Sequence, residues 1–217
     1  AFPPGAARQK FIDEQFDQLL NDQKYLKLAV EYFAYYLKPI ILKPGFKNLD
    51  DYYKYVKTEE HLTLQKELVK SHQEVMIANF LYINGVNYLY EAPYKYKTAN
   101  SVYRQYKPDF YLPDYDIYLE HFGIDRNGQV HFTQNEIQNA LQSKKYQAET
   151  EWKRDLHKKH QTTLIETFSY EFTEHNWKEK LTEQLKAANV VFSERNTEEI
   201  FATLKASGSV REIVDLF

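Results

Sequence analysis

The segment Lys107–Ile124 constrains the fold most, because polar and apolar residues alternate on both sides of one turn. Proline fixes φ and aspartates hydrogen-bond the local backbone, so Pro113–Asp116 predicts a turn between two antiparallel strands. In this register the apolar residues pair on one face, Phe110 with Leu119 and Leu112 with Ile117. The sequence therefore predicts a β-hairpin with one face directed at a core.

The other face of this hairpin carries two acids, Asp109 and Glu120, which the same register places opposite each other. Directly opposed residues have Cβ atoms about 5 Å apart, and like charges at that distance repel. The pair then needs a cation, a shared proton or full solvation. The sequence favours a divalent cation. A register shifted by one or two residues would instead leave two unrelated surface acids.

Composition limits the class of protein. The chain has 217 residues, enough for one large domain or for a core with a helical appendage. It has no cysteine, which excludes disulfides, thiolate catalysis and cysteine-ligated zinc and is compatible with a cytoplasmic location. No run is long and apolar enough to cross a membrane. The start, Ala1–Ala7, lacks a signal-peptide core and resembles a linker, so we expect a piece of a longer cytoplasmic protein.

The net charge of −3 gives no overall signature of nucleic-acid binding, so local charge must decide. Basic residues cluster late in the chain at Lys144, Lys145, Lys153, Arg154, Lys158 and Lys159. The candidates for DNA contact are Lys144, Lys145, Arg154 and Lys158. The alternative is an ordinary solvated helix face. The 19 tyrosines and 14 phenylalanines could stack on bases, fill a protein interface or pack between helices.

The first third of the chain has helical periodicity. Apolar residues recur at helical spacing from about Arg8 to Leu37, with a break or cap at Asn21–Asp22. A loop is predicted over residues 38–47, followed by a tyrosine-rich helical segment and a helix through Leu62–Leu68. Residues 1–70 are therefore expected to be all-helical.

The pattern changes at Ser71–Glu74, a capping box that opens an amphipathic helix ended by Asn84–Gly85. The elements predicted next are a strand Val86–Glu91, the hairpin, a helix from the capping box Thr133–Glu136 to about His160, a strand Thr163–Phe168, a helix Glu174–Ala188, a strand Val190–Phe192 and terminal helices. This order predicts an α/β fold, a mixed sheet flanked by helices. We expect a core over residues 71–193 and helices over 194–217 that lead back to a parent chain.

Residues 71–193 resemble the restriction-endonuclease-like, or PD-(D/E)xK, nuclease core. In that family a helical acid, an Asp that starts one strand and a Glu in the next hold one or two Mg²⁺ ions, while a lysine polarises the attacking water or the phosphate. The resemblance implies that Glu74, Asp109 and Glu120 bind Mg²⁺ or Mn²⁺. Hard carboxylate oxygens suit Mg²⁺, which activates water and stabilises charge on phosphate.

The chain departs from the family pattern at Phe122, which occupies the position usually held by lysine. This fold tolerates a lysine supplied by a neighbouring helix, and Lys153 is the best candidate, with His121 weaker. The alternatives are a solvated Lys153 and a Glu74 that only caps Ser71. His157 and His160 could bind zinc in principle, but we expect a surface pair, since no third ligand is apparent.

Five phrases make the resemblance narrower: Ser71–Leu81, Tyr90–Tyr94, Arg104–Leu112, Tyr118–Ile124 and Trp152–His157. Together they look like the nuclease-like insert of bacterial superfamily 1 DNA helicases of the UvrD/Rep and helicase IV type. The resemblance implies an ATP-dependent DNA translocase, active in processes such as DNA repair, as the parent chain. The Walker pattern Gly-x-x-x-x-Gly-Lys-Ser/Thr does not occur, so ATP would bind outside these residues.

Three functions remain open on these grounds. The first is a Mg²⁺-dependent nuclease domain with Glu74, Asp109 and Glu120 as ligands and Lys153 assisting. The second is a DNA-binding insert of the same fold that does not cleave, which the missing motif lysine favours. The third is a structural or partner-docking insert that uses the tyrosine-rich N-terminal helices.

Overall fold

The structure is a computed structural model of the chain, and it describes residues 10–11, 14–15, 17–18, 21–35, 61–101, 104–130 and 136–206, with side chains of the long helix from residue 140 onward. The described part forms two compact units. The first unit comprises the residues up to Gly85 and those from Ser193 onward, and the second comprises Val86–Phe192.

The helices and strands are, in chain order, α1 Gln23–Tyr35, β1 His61–Leu62, β2 Leu68–Val69, α2 His72–Ile83, β3 Leu89–Tyr90, β4 Phe110–Leu112, β5 Ile117–Phe122, α3 Glu136–His160, β6 Thr163–Phe168, α4 Ser169–Thr173, α5 Trp177–Ala187 and α6 Thr197–Ala206. The predicted loop over residues 38–47, the tyrosine-rich segment after it and the cap residue Thr133 lie outside the described residues. Among the helices described, none combines the length and the apolar character needed to span a bilayer.

The first unit is built around a core of apolar residues from α1 and α6, namely Val30, Phe33, Ile200 and Leu204. The predicted break at Asn21–Asp22 is confirmed, since these residues form a bend before α1 and Asp22 Oδ1 accepts the Lys24 backbone N–H at 2.9 Å. Such a side-chain acceptor satisfies a donor at the start of a helix that has no partner within it.

Helix α2 begins and ends where its signals predict. Ser71 is its N-cap, and Gly85 after it has φ of 67°. A side chain at Gly85 would also bring a Cβ to 2.1 Å from the Ser193 carbonyl oxygen, so only glycine fits there. The predicted amphipathic character is wrong, because every residue from Glu74 to Leu81 is buried.

The predicted helix through Leu62–Leu68 is wrong. Strands β1 and β2 pair antiparallel there, with Leu62 opposite Leu68, so residues 1–70 are not all-helical. The turn is held by Thr63, whose backbone N–H donates to the Glu67 carbonyl and whose hydroxyl accepts the Glu67 N–H. Lys66 has φ of 62°, a left-handed conformation that a helix does not allow.

The second unit is a four-stranded mixed sheet in the order β3-β4-β5-β6, flanked by helices. Strands β3, β4 and β5 are antiparallel, and β5 pairs in parallel with β6 after the crossover through α3. The predicted hairpin register is confirmed, with Phe110 opposite Leu119 and Leu112 opposite Ile117. The α/β class is therefore confirmed for this unit.

The sheet also corrects the sequence prediction at its ends. The strand expected over Val86–Glu91 is reduced to β3, and no strand forms over Val190–Phe192. Val191 instead donates its backbone N–H to the hydroxyl of Tyr115 at 3.1 Å. The helix predicted over Glu174–Ala188 is α5, which begins only at Trp177, because His175 adopts φ of 57° and cannot continue a helix.

The boundaries of the units differ from the predicted domain boundaries. The predicted core begins at residue 71, whereas α2 is grouped by its contacts with the first unit and the second unit begins at Val86. At the other end the second unit stops at Phe192, one residue before the predicted end of the core. A helix that the family pattern assigns to the nuclease core therefore lies in the first unit.

Candidate active site

The two acids of the hairpin lie where β4 begins and where β5 passes opposite to it. Phe110 pairs with Leu119, so the same register brings Asp109 opposite Glu120. Asp109 is half-buried, and its Oδ2 accepts the backbone N–H of His121 at 2.8 Å. Glu120 is 1% exposed. The hairpin thus holds two carboxylates next to each other, one of them fully buried.

Both oxygens of Glu120 accept hydrogen bonds from side chains. Tyr106 donates its hydroxyl to Oε1 at 2.6 Å, and Lys153 donates from Nζ to Oε2 at 2.5 Å. The Lys153 Nζ also lies 5.5 Å from the centre of the Phe122 ring. A lysine from α3 therefore extends over Phe122 and reaches the carboxylate.

The charges at Glu120 are coupled. Burial opposes the positive charge of Lys153, but the attraction and hydrogen bond of Glu120, with a smaller contribution from Asp109, outweigh it and raise the pKa of Lys153 above its usual value. Burial and the charge of Glu120 raise the pKa of Tyr106 far above its usual value. At neutral pH the site consists of a cationic lysine and a neutral tyrosine around an acceptor.

His157 belongs to this site and is not the surface residue that the sequence analysis expects, since it is 2% exposed. Its Nε2 lies 3.2 Å from the Tyr106 hydroxyl, and its Nδ1 lies 2.8 Å from Thr162 Oγ1. Burial, followed by nearby Lys153 and His160, lowers the pKa of His157 to about 4. The ring of His160 stacks instead on Tyr96, with centroids 4.0 Å apart.

Sequence reasoning missed Tyr106 and the role of His157. Tyr106 lies in an irregular segment with no periodicity, and one tyrosine among 19 carries no signal of its own. The available hint was that Tyr106 and His157 both fall inside phrases that carry the family resemblance, Arg104–Leu112 and Trp152–His157.

His121, the weaker lysine substitute, lies on the other face of the sheet. Its Nδ1 is 3.0 Å from Thr167 Oγ1, and its ring lies against Phe172 with centroids 5.2 Å apart. Burial lowers the pKa of His121 to about 4. Successive residues of a strand point to opposite faces, so His121 cannot share the environment of Glu120.

Glu74 lies in the first unit, at the start of α2. Its carboxylate accepts the Ser71 hydroxyl at 2.9 Å and the Lys70 backbone N–H at 3.2 Å, while its own backbone N–H donates to Ser71 Oγ at 3.1 Å. These bonds are those of a residue that caps a helix. The capping alternative is thus realised, and it involves only residues of the first unit.

The four candidates for DNA contact, Lys144, Lys145, Arg154 and Lys158, are all exposed on α3. Arg154 forms a two-point ion pair with Glu166, with N–O distances of 2.6 and 2.8 Å, and Lys145 lies 3.8 Å from Glu149. Glu151 and Asp155 are exposed on the same helix. The surface is therefore a mixture of charges rather than a continuous basic stripe.

The chemistry of Asp109 and Glu120 matches a hard cation, because carboxylate oxygens are the preferred ligands of Mg²⁺. Over the described ranges, no group of three or more His, Cys, Asp or Glu side chains is arranged to hold a metal ion. Asp109 and Glu120 are a pair of facing acids, not a full ligand set.

Comparison with protein-family models, with curated proteins and with solved structures finds no match for this chain.

Proposed function

We propose that the second unit is a nuclease-like, DNA-processing module whose site consists of Asp109, Glu120 and Lys153. The observation that carries this proposal is the ion pair of 2.5 Å between Lys153 and Glu120, beside a second carboxylate on the facing strand. Two acids and a lysine on one face are the groups that the resembled nuclease family uses, in which the acids hold the ion for metal-assisted phosphodiester hydrolysis. The restriction-endonuclease-like fold is part of the same proposal, and the mixed sheet with flanking helices supports it.

The residues present fit Mg²⁺ or Mn²⁺ in donor chemistry and in charge. Two facing carboxylates attract a cation, and Glu120 already forms an ion pair with the positively charged Lys153. Asp109 and Glu120 would hold the ion, which when bound would supply an activated water and stabilise charge on the phosphate. Glu74 belongs to the proposed ligand set only through the family resemblance, since its observed bonds are those of a cap.

The residues of the chain have distinct roles in this proposal. Asp109 and Glu120 provide negative oxygen ligands, and the carboxylate of Asp109 also ties β4 to β5 through the His121 N–H. Lys153 keeps a positive charge near the scissile phosphate, because its raised pKa leaves it protonated at neutral pH. The exposed lysines of α3, Lys144 and Lys158, would contact the DNA backbone.

The parent protein in this proposal is an ATP-dependent helicase of the UvrD/Rep or helicase IV type. The support is the set of five sequence phrases, four of which begin in the second unit. The partners would be DNA and the other domains of the same polypeptide. ATP would be used by the parent chain outside these residues.

A second candidate function is DNA binding without cleavage. It is favoured by the engagement of both Glu120 oxygens, by Tyr106 and Lys153, which leaves a metal ion to compete with Lys153. In this case the ion pair would be a structural remnant of a nuclease site. The exposed lysines of α3 would carry the function.

Incubation of the chain with labelled single-stranded, forked and duplex DNA, with Mg²⁺ or Mn²⁺, separates the two candidates. We expect cleavage that Asp109→Asn abolishes, because asparagine still accepts the His121 N–H but lacks the charge. Glu171→Gln is the matched control, since Glu171 is a buried acid of the same unit paired with Lys180. DNA binding without cleavage would support the second candidate, and no binding would leave a partner-docking insert.

A further inference from the structure

A row of hydrogen bonds, buried at its Glu120 end, leads from Glu120 into the second unit. The Tyr106 hydroxyl lies 2.6 Å from Glu120 Oε1 and 3.2 Å from His157 Nε2. His157 Nδ1 lies 2.8 Å from Thr162 Oγ1, which lies 2.7 Å from the Tyr94 hydroxyl. Tyr94, Tyr106 and His157 are buried, whereas Thr162 is half-buried. The two bonds of the Tyr106 hydroxyl are therefore shielded from bulk water.

The bond at Glu120 sets the direction of each proton in this row. Tyr106 donates its single hydroxyl proton to Glu120 Oε1. The Tyr106 oxygen then faces His157 as an acceptor, which requires a hydrogen on Nε2. In a neutral imidazole the other nitrogen is an acceptor, so Thr162 donates to Nδ1 and accepts from Tyr94. All the donors then point toward one carboxylate.

We propose that His157 is a positioning residue which, as the neutral Nε2–H tautomer, directs the Tyr106 proton onto Glu120 and fixes the plane of that carboxylate. With one donor on each oxygen, Glu120 cannot rotate without breaking a bond to Tyr106 or Lys153. The use of a fixed Glu120 in hydrolysis rests on the proposed function. The hydrogen-bond row itself does not.

The surroundings of His157 support the neutral form. Burial and the nearby positive charge of Lys153 hold the pKa of His157 at about 4, so the ring is uncharged at neutral pH. A hydrogen bond to one ring nitrogen of a histidine commonly fixes the tautomer of the ring. Thr162 makes this bond to Nδ1 of His157 from the turn between α3 and β6.

The first test is nitrogen NMR of the whole chain, labelled with ¹⁵N-histidine and kept free of metal and DNA. We expect a protonated Nε2 and an unprotonated Nδ1 at His157, with a slowly exchanging Nε2 hydrogen that Tyr106→Phe converts to fast exchange. An Nδ1–H tautomer, or a charged ring at neutral pH, would overturn the proposed direction of the row.

The second test measures how fast Lys153 is acylated, using mass spectrometry of the metal-free chain. His157→Leu removes the donor to Tyr106, so Glu120 holds Lys153 less firmly and labelling of Lys153 should rise about fivefold, the effect of one lost hydrogen bond. Lys180, which pairs with buried Glu171 at 3.1 Å, is the internal control and should not change. His157→Gln keeps an N–H donor and should restore the wild-type rate.

The proposal is wrong if Lys153 labelling does not change in His157→Leu, or if His157→Gln and His157→Leu behave alike. A parallel rise at Lys180 would also contradict it, because that result indicates general loosening of the unit. Neither test uses metal or DNA. Absence of cleavage would therefore overturn the proposed function without affecting this inference. A different tautomer at His157 would overturn this inference without affecting the proposed function.

Discussion

The second unit contains two Glu–Lys ion pairs in which the carboxylate is buried, and the two carboxylates differ in their other hydrogen-bond partners. Glu120 pairs with Lys153 at 2.5 Å, and Glu171 pairs with Lys180 at 3.1 Å. Glu171 also accepts the Phe168 backbone N–H at 3.1 Å at the start of α4. Glu120 receives only side-chain donors, from residues 14 and 33 positions away in the chain.

The hydrogen bonds distinguish an acid with a structural role, Glu171, from one without such a role, Glu120. An acid that accepts a backbone N–H in the first turn of a helix satisfies a donor that the helix leaves without a partner. Glu120 has no such task among its hydrogen bonds to Tyr106 and Lys153. A buried ion pair stabilises a fold little compared with apolar residues of the same volume. Stability alone thus explains Glu171 better than it explains Glu120.

The largest expected difference between the two acids is in catalysis. Asp109→Asn and Glu120→Gln should lower Mg²⁺-dependent cleavage by a factor on the order of a thousand, because a metal ion contributes several kcal/mol to the transition state. Glu171→Gln should keep wild-type activity. The measurement is initial rates on labelled forked DNA. Equal losses of activity in all three variants would show that Asp109 and Glu120 have no role in cleavage that Glu171 lacks.

The next effect is on stability. Lys153→Ala leaves the fully buried Glu120 without its cation and should lower the free energy of unfolding by about 2–3 kcal/mol. Lys180→Ala should lower it by only about 1 kcal/mol, because Lys180 is more exposed and Glu171 keeps its backbone donor. Urea unfolding of both variants measures the two losses. A larger loss in Lys180→Ala would contradict the assignment.

A graded effect on stability is expected from pH. The pKa of His157 is lowered to about 4 in the folded chain, whereas an unfolded histidine titrates near 6.5. Between these pH values the unfolded chain binds more protons than the folded chain. The contribution of His157 to the free energy of unfolding is therefore fully present above about pH 6.5 and is lost as the pH falls toward 4. His157→Gln should reduce the slope by about 1.4 kcal/mol per pH unit within that window. An unchanged slope in urea titrations would show that His157 is already charged.

The smallest effect concerns the cations of α3, which differ as the two acids do. Arg154 is held by Glu166 in a two-point ion pair, whereas Lys144 and Lys158 are exposed on the same helix. Lys144→Ala and Lys158→Ala should each reduce the salt dependence of DNA binding by about one ion. Arg154→Ala should reduce the salt dependence of DNA binding by less than either lysine variant. A larger effect at Arg154 would indicate that the DNA contacts α3 near β6, where Arg154 pairs with Glu166.

The sequence predicts those parts of the site that depend on short-range rules. The register of β4 and β5 follows from alternation about one turn, so Asp109 and Glu120 are found from the sequence. Lys153 was named as a candidate only through the family resemblance, and its contact with Glu120 was not predicted. The periodicity of α3 does not indicate which of its lysines turns inward.

The errors have physical causes. The hairpin of β1 and β2 was predicted as a helix, because the left-handed Lys66 in its turn leaves no sequence signal. The roles of Tyr106 and His157 were not predicted, because the hydrogen bond between them joins residues 51 positions apart in the chain. Contacts of that range depend on how the sheet and α3 pack, which no local pattern encodes.

Metal binding at Asp109 and Glu120 is tested most directly by calorimetric titration of Mn²⁺ into three proteins: the wild-type chain, Asp109→Asn and Glu171→Gln. We expect one ion to bind the wild type and Glu171→Gln with the same affinity, and Asp109→Asn to lose binding by at least tenfold. Wild-type affinity in Asp109→Asn, or no binding to the wild type, would contradict a metal-dependent site at Asp109 and Glu120.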